Sequence, residues 1–265
     1  GKSLPKIPKR TSLPTNEICL EVSSLSGEKL DSKEPFKDIN FILSKGEILG
    51  IAGVEGNGQR ELTESILGIY PLSQGTITVD GINIDNMATR QRRSLGINFI
   101  PEDRQTQGLV MDNSLIENAM LGRQNKDMYK TRFKSVNFKN SRKFSNKIID
   151  QYDVRTPNSS TLALALSGGN QQKFVVGREL EDNPSLLVAS QPTRGIDIGA
   201  QSLIWEELRE ARDAGLGVLL ISADLEELLG LSDRLLVMYE GKIVKELLPE
   251  DATPELLGAY MTGLK

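Results

Sequence analysis

The sequence predicts an α/β protein built on a mainly parallel sheet covered on both faces, and three observations carry that prediction. Short apolar runs of strand composition alternate with amphipathic helical patterns. A glycine-rich loop follows one of those strands, Ile48–Ala52, and opens the next helix. Between Asp112 and Thr161 the alternation is interrupted by a helical stretch rich in Lys and Arg.

The elements can be justified in order. Gly1 to Thr15 carries Pro5, Pro8 and Pro14 among Lys2, Lys6, Lys9 and Arg10, which is linker composition. The chain starts without methionine and reads as a C-terminal piece of a longer protein. Gly1-Lys2-Ser3 spells the end of a phosphate loop, but no strand precedes it. Strands are expected at Ile18–Val22 and at Ile39–Leu43, before a turn at Lys45-Gly46. Ile48–Ala52 reads as a buried strand, and a helix from about Arg60 to Leu67 follows the glycine loop. Gly75–Val79 is a strand leading into an Asp80-Gly81 turn, and Ile97–Ile100 is another buried strand. Ser114–Leu121 looks helical. Residues 123–147 interleave basic side chains with Tyr129, Phe133, Phe138 and Phe144. A solvated helical subdomain with a few core aromatics is the simpler reading there; a contact surface for a membrane partner is the other. Strands follow at Leu186–Ala189, Val218–Ser222 and Leu235–Tyr239, with a helix from Ile198 to Ala214 capped by Asp197. Glu240-Gly241 makes a hairpin to Lys242–Val244, and Thr253-Pro254-Glu255 starts a last helix. The expected organisation is a linker over 1–16, a core over 17–112 and 170–265, and an inserted helical subdomain over 113–169.

Composition narrows the function. At 265 residues the chain has room for one large domain with an insertion. A net charge of −4 argues against a nucleic-acid partner. No apolar run is long enough to cross a bilayer, so a membrane role would go through partners. The first residues are polar, proline-rich and basic, unlike a signal peptide. Cys19, the single cysteine, excludes an internal disulfide and fits a reducing compartment. The absence of histidine removes a histidine base, metal ligand and pH switch together.

Two motifs carry chemistry. Leu166-Ser167-Gly168-Gly169-Asn170-Gln171-Gln172-Lys173 opens a helix running to Leu180. Ser167 is suited to cap that helix, the glycines admit an anion close to the backbone, and the helix dipole favours negative charge there. A capped helix start without a ligand is the competing reading. Gly53-Val54-Glu55-Gly56-Asn57-Gly58-Gln59-Arg60 stands where a phosphate loop belongs, but its lysine position is Gln59 and its hydroxyl position Arg60. Glutamine carries no charge and arginine cannot ligate a metal. A dinucleotide fingerprint would need glycine at Glu61, and a tight turn with no ligand is the remaining alternative.

With Pro101-Glu102-Asp103-Arg104 and Gln191-Pro192-Thr193-Arg194-Gly195-Ile196-Asp197, these motifs resemble ABC-transporter nucleotide-binding domains, closest to the second such domain of simple-sugar and nucleoside importers. The likeness runs from Ile18 to the C-terminus, apart from the basic helical stretch. It implies an ABC-type ATPase fold: a RecA-like core with an antiparallel β-subdomain and an inserted α-helical subdomain. It also implies that Ser190 stands at the Mg²⁺-organising aspartate, Gln191 at the water-polarising glutamate, Ala223 at the strand-end histidine, and Glu102 nearest the metal-contacting glutamine. An adenine-stacking aromatic is missing near Leu30. The chain's own nucleotide would meet Gly53, Glu55, Gly56, Asn57, Gly58, Gln59, Arg60 and Glu102. In trans, Ser167, Gly168, Gly169, Asn170, Gln171 and Asp197 would reach ATP held by a partner domain. Weak ATP binding in the own site, Mg²⁺ only in the partner's, and no metal site in this chain are therefore expected.

The resemblance further implies a complete ABC domain as partner, N-terminal in the same polypeptide, with membrane permease subunits and, indirectly, an extracytoplasmic solute-binding protein. It places the protein at the cytoplasmic face of the membrane. The chain alone should hydrolyse little or no ATP. A nucleotide-sensing regulatory or scaffold protein with the same fold is the alternative. A tandem ABC translation factor would show intact catalytic motifs and a strongly basic interdomain segment.

Overall fold

The computed structural model describes residues 14–29, 35–124, 126–130 and 136–264. They form two compact units. A sheet unit takes the described residues up to Phe99, Pro184–Gln191 and the chain from Glu207 on; a helical unit takes Ile100–Asn183 and Pro192–Glu206.

In the sheet unit, β3 (Ile48–Ala52) lies between β8 (Gly217–Ser222) and β9 (Arg234–Tyr239), parallel to both. β7 (Leu186–Ser190) is parallel to β8, β10 (Lys242–Leu247) closes on β9 as an antiparallel hairpin, and β6 (Ile97–Ile100) forms the far edge. Every residue of β3 and β8 is buried, as a parallel strand covered on both faces requires. A second, antiparallel sheet runs β2 (Ile39–Ser44), β1 (Ile18–Gly27), β4 (Leu72–Val79), β5 (Ile82–Asn83). One core serves both sheets, with Leu20, Val22, Leu43 and Ile77 from the antiparallel sheet and Leu49, Ile51, Val188, Leu219 and Ile221 from the parallel one. Each contributes about 1.5–3 kcal/mol by leaving water. Cys19 joins this core; its thiol donates to the Ser185 carbonyl at 3.1 Å, and burial pushes its pKa up to about 12.

Several elements extend beyond their sequence signals. β4 starts upstream of Gly75, which read as a strand start but sits inside the strand at φ +92. A Cβ at Gly75 would lie 2.4 Å from the Ser24 carbonyl, where the register against β1 shifts, so the glycine marks a bulge. The helices α2 (Thr89–Ser94) and α7 (Leu225–Leu231) and strand β5 were not expected. α2 has no apolar stripe to announce it. Arg92 holds it instead, donating to the carbonyls of Met87, Ser65, Ile66 and Asp85 at 2.6–3.0 Å and so tying it to the end of α1 (Gln59–Ile66). Burial of that guanidinium lowers its pKa.

In the helical unit, the predicted 114–121 helix is a single turn, α3 (Leu115–Asn118). Ser114 and Glu117 start it with reciprocal capping bonds, and the Asn118 side chain donates to the carbonyls of Val110 and Asn113 in the preceding loop. α4 (Phe138–Gln151) and α5 (Gly168–Leu180) cross at Gly177, where a Cβ would lie 2.6 Å from the Tyr152 ring. Arg123 is fully buried and meets Glu179 at 2.9 Å and Asp182 at 3.0 Å. Of the interleaved aromatics, Tyr129 packs edge-on against Phe144 at 6.3 Å, whereas Phe138 is exposed. Phe133 and Leu30, and residues 1–13 of the expected linker, lie outside the described residues. Thr15 is anchored, its N–H donating to the Lys45 carbonyl at 3.0 Å. The whole of α5 belongs with the helical unit, whereas the sequence drew a boundary between residues 169 and 170.

Candidate functional site: a glycine loop and a signature segment

The glycine loop lies in the sheet unit between β3 and α1. Gly56 and Gly58 take left-handed conformations (φ +87 and +100), and a Cβ at Gly58 would lie 2.3 Å from the Pro35 carbonyl. The loop has therefore kept its backbone path. Its side chains serve the protein itself. Asn57 is buried: Nδ2 donates to the carbonyls of Met238 (3.1 Å) and Met261 (3.2 Å), and Oδ1 accepts from the Glu240 N–H at 3.2 Å. Gln59 is also buried, folds across Gly53 and donates from Nε2 to the Val54 carbonyl at 3.3 Å. Arg60 faces solvent and pairs with Glu64 one turn on at 2.9 Å, which raises its pKa. Glu55 is exposed.

Ser190 ends β7, and Gln191, the next residue, sits at φ +49. Its side-chain carbonyl accepts from the Ala223 N–H at 3.2 Å and from the Ser222 hydroxyl at 3.4 Å, while its own N–H donates to the Ile221 carbonyl at 2.7 Å. A neutral amide thus bridges two strand ends, and an amide cannot serve as a general base. Among the described residues no cluster of three Cys, Asp or Glu side chains could hold a metal ion. The residues of this loop do not fit a magnesium triphosphate: the lysine position is a neutral amide bonded inside the loop, and Arg60 offers no metal ligand.

The signature segment lies in the helical unit. Ser167 stands at the N-cap of α5, but its hydroxyl makes no capping bond to the backbone, contrary to the expectation for it. Asn170 Nδ2 donates to that hydroxyl at 3.0 Å, and Asn170 Oδ1 accepts from the Arg155 N–H at 2.9 Å. Ser167 remains exposed, whereas Gly169 behind it is buried. Gln171 is buried and donates to the carbonyls of Ala163 and Leu166 at 3.1 and 3.2 Å. Gln172 Nε2 donates to the Pro192 carbonyl at 2.6 Å, and Lys173 reaches the Asp153 carboxylate at 3.0 Å.

Asp197 caps α6 (Ile198–Asp213), accepting from the Ala200 N–H at 3.1 Å; that bond holds its carboxyl below the usual range. A Cβ at Gly169 would meet Asp197 Oδ2 at 3.0 Å, and one at Gly168 would meet Arg104 Nη2 at 2.5 Å. Signature and loop 193–197 are thus close-packed inside one unit. Glu102, expected to face the chain's own nucleotide, forms an ion pair with Arg194 instead. Arg104 and Arg194 had no role assigned from sequence. A guanidinium bonded to a backbone carbonyl 90 positions further along the chain, as Arg104 is to Arg194, gives no local signal.

A family model described as "ABC transporter" matches residues 36–194. The chain is 42% identical to the guanosine import ATP-binding protein NupO of Bacillus subtilis (strain 168), over 97% of this chain and 50% of that protein. It is 40% identical to the glucose import ATP-binding protein TsgD13 of Haloferax volcanii, over 96% and 46%. It is 38% identical to the ribose import ATP-binding protein RbsA of Clostridium perfringens (strain 13 / Type A), over 94% and 48%. The chain therefore spans about half the length of these curated relatives. A nucleotide-free ATP-binding cassette from an ABC transporter superposes with a TM-score of 0.75 at 21% identity, covering 92% of this chain and 99% of the cassette. The ADP conformation of another cassette, MJ1267, gives 0.75 at 22% identity, covering 92% and 98%. The α/β architecture, with its antiparallel sheet and its helical unit, is that of an ABC ATPase cassette. On the family match and the identities together, this chain belongs to the ABC transporter family.

Proposed function

We propose that this chain is the second, C-terminal cassette of a two-cassette ATP-binding protein serving an importer of sugars or nucleosides. Its own phosphate loop is idle, and it donates its signature segment to ATP held by a complete partner cassette earlier in the same polypeptide. What supports this most directly is how the residues divide. The emptied positions Gln59, Ser190, Gln191 and Ala223 all fall in the sheet unit, where Gln59 and Gln191 bond to neighbouring protein backbone. The kept segments, 166–173 and 193–197, fall together in the helical unit with Ser167 and Asp197 exposed. Relatives named for guanosine, glucose and ribose import, each about twice as long, support the importer assignment and leave room for the partner cassette.

On this reading Ser167 and the N–H groups at the start of α5 face the terminal phosphate in the partner's site, where developing charge needs donors. Mg²⁺ belongs to that site. The protein works at the cytoplasmic face of the membrane, docked on permease subunits that a solute-binding protein supplies, and it takes no nucleic acid.

The test compares Gly169→Asp with Gln59→Ala in the complete transporter, reading ATP hydrolysis and solute uptake. Gly169→Asp sets a second carboxylate beside Asp197 at the phosphate-facing turn and should lower both rates roughly 10²–10³-fold. Gln59→Ala should leave both within about twofold, since no catalytic charge is removed. The opposite ranking overturns the proposal.

A further inference from the structure

We infer that Arg104 is a positioning residue for hydrolysis in the partner's site: it locks loop 193–197 to the start of the signature helix so that the two are presented as one preformed surface. The inference rests on the donor reading above. Arg104 Nη1 donates to the Arg194 carbonyl at 2.9 Å, and Nη2 to the Gly195 carbonyl at 3.3 Å. The same Nη2 lies 2.5 Å from where a Cβ on Gly168 would stand, so the guanidinium sits directly against the signature glycine. One planar group therefore touches two consecutive carbonyls of the loop and the first residue of α5.

The neighbouring residues reinforce this grip. Glu102 pairs with the Arg194 side chain, so the loop is held by its backbone through Arg104 and by its side chain through Glu102. The turn that carries Arg104 is itself fixed. Asp103 Oδ1 accepts from the N–H groups of Gln105 at 2.9 Å and Thr106 at 3.3 Å, and the Thr106 side chain and these N–H groups hold its carboxyl below the usual range. Gln105 then donates to Gln171 Oε1 at 3.3 Å, a second tie to α5.

The chemistry calls for arginine. Two carbonyls side by side match the rigid fork of a guanidinium, whereas an ammonium is a point donor on a flexible stem. Loop 193–197 turns through left-handed Gly195 (φ +68) and belongs to no ladder, so side-chain bonds must set its position. The guanidinium also brings a full positive charge behind Gly168, adding to the positive end of α5.

The experiment uses the complete two-cassette protein with its permease, comparing Arg104→Ala, Arg104→Lys and, as the control for the donor reading, Gly169→Asp. Thermal midpoints are measured for each, and kcat and KM for ATP are read separately. Arg104→Ala should lower kcat about 10–100-fold, as displacing aligned groups by about an ångström does, with KM for ATP within about threefold because the nucleotide is held elsewhere. Arg104→Lys should not restore the rate. Should Arg104→Ala lower the thermal midpoint, Arg104→Lys, which keeps the charge and most of the stem, decides alone. A kcat within about twofold of the unmodified protein in Arg104→Lys, or a loss confined to KM, overturns the inference. If Gly169→Asp abolishes turnover while the Arg104 variants do not, only the role of Arg104 falls. If all three are silent, the donor reading falls with it.

Discussion

At the scale of the residue, the Asn57 and Gln59 side chains of the glycine loop bond to the protein's own backbone. Asn57 fits the loop pattern in the sequence and was expected to face a nucleotide; in the fold it is a three-way bracket joining the loop to β9 and the last helix. Asn57→Ala would leave two carbonyls and the Glu240 N–H without their partner, and should destabilise the protein by about 2–4 kcal/mol in urea unfolding. An unchanged midpoint would show that the bracket contributes nothing. The lack of charge at Gln59, Ser190, Gln191 and Ala223 was legible because charge is a property of residue type, wherever a side chain points. The roles of Glu102 and Arg104 were not legible, because a guanidinium on two distant carbonyls depends on how the backbone returns.

At the scale of the element, strands announced themselves and short helices did not. β3, β7 and β8 are continuous apolar runs, so burial on both faces could be read directly. α2 rests on one buried arginine, and no periodicity reveals that. α5 was read as a helix because of its start signals, but its close approach to Tyr152 and Ile148 at the end of α4 needs a glycine at 177. Gly177→Ala should push the two helices apart and cost about 1–3 kcal/mol, measured as a lowered thermal midpoint.

The helical unit should also lose stability in acid. Asp103, Glu117, Asp153 and Asp197 are held below their ordinary range: Asp103 and Glu117 chiefly by side-chain bonds to Thr106 and Ser114, Asp153 by Lys173, and Asp197 by the Ala200 N–H. A depressed carboxyl stabilises the fold above its unfolded value of about 4 and stops doing so as the pH falls through its folded value. Fluorescence of Trp205, the single tryptophan, lies in this unit and should stay flat from about pH 8 to 5, where no histidine titrates, then change below about pH 4. A transition centred near neutral pH would contradict this.

At the scale of the whole molecule, the division into two units is what the sequence conveyed least well. Motif order along the chain interleaves the two units, since the helical one is assembled from 100–183 and 192–206 around β7. Two copies of this chain would lack the same groups, so pairing with itself restores nothing. The purified chain should therefore release phosphate from ATP at a rate no higher than a buffer control in a colorimetric assay. Calorimetric titration with ATP should give weak binding that is nearly the same with and without Mg²⁺, since backbone donors survive but a metal ligand does not. Tight, Mg²⁺-dependent binding would contradict the reading of the loop.

The inward bonds of Gln59 and Gln191 also bear on what a single substitution can do. A lysine restored at position 59 alone would bring an ammonium beside the Val54 carbonyl, with neutral Ser190 and Gln191 at the positions that would balance it. A carboxylate restored alone at Ser190 would add the opposite sign without a cation. Neither substitution alone supplies both signs of charge. With the Gln59 and Gln191 amides each bonded to neighbouring backbone, no single substitution at these positions supplies both a cation and the anion to balance it.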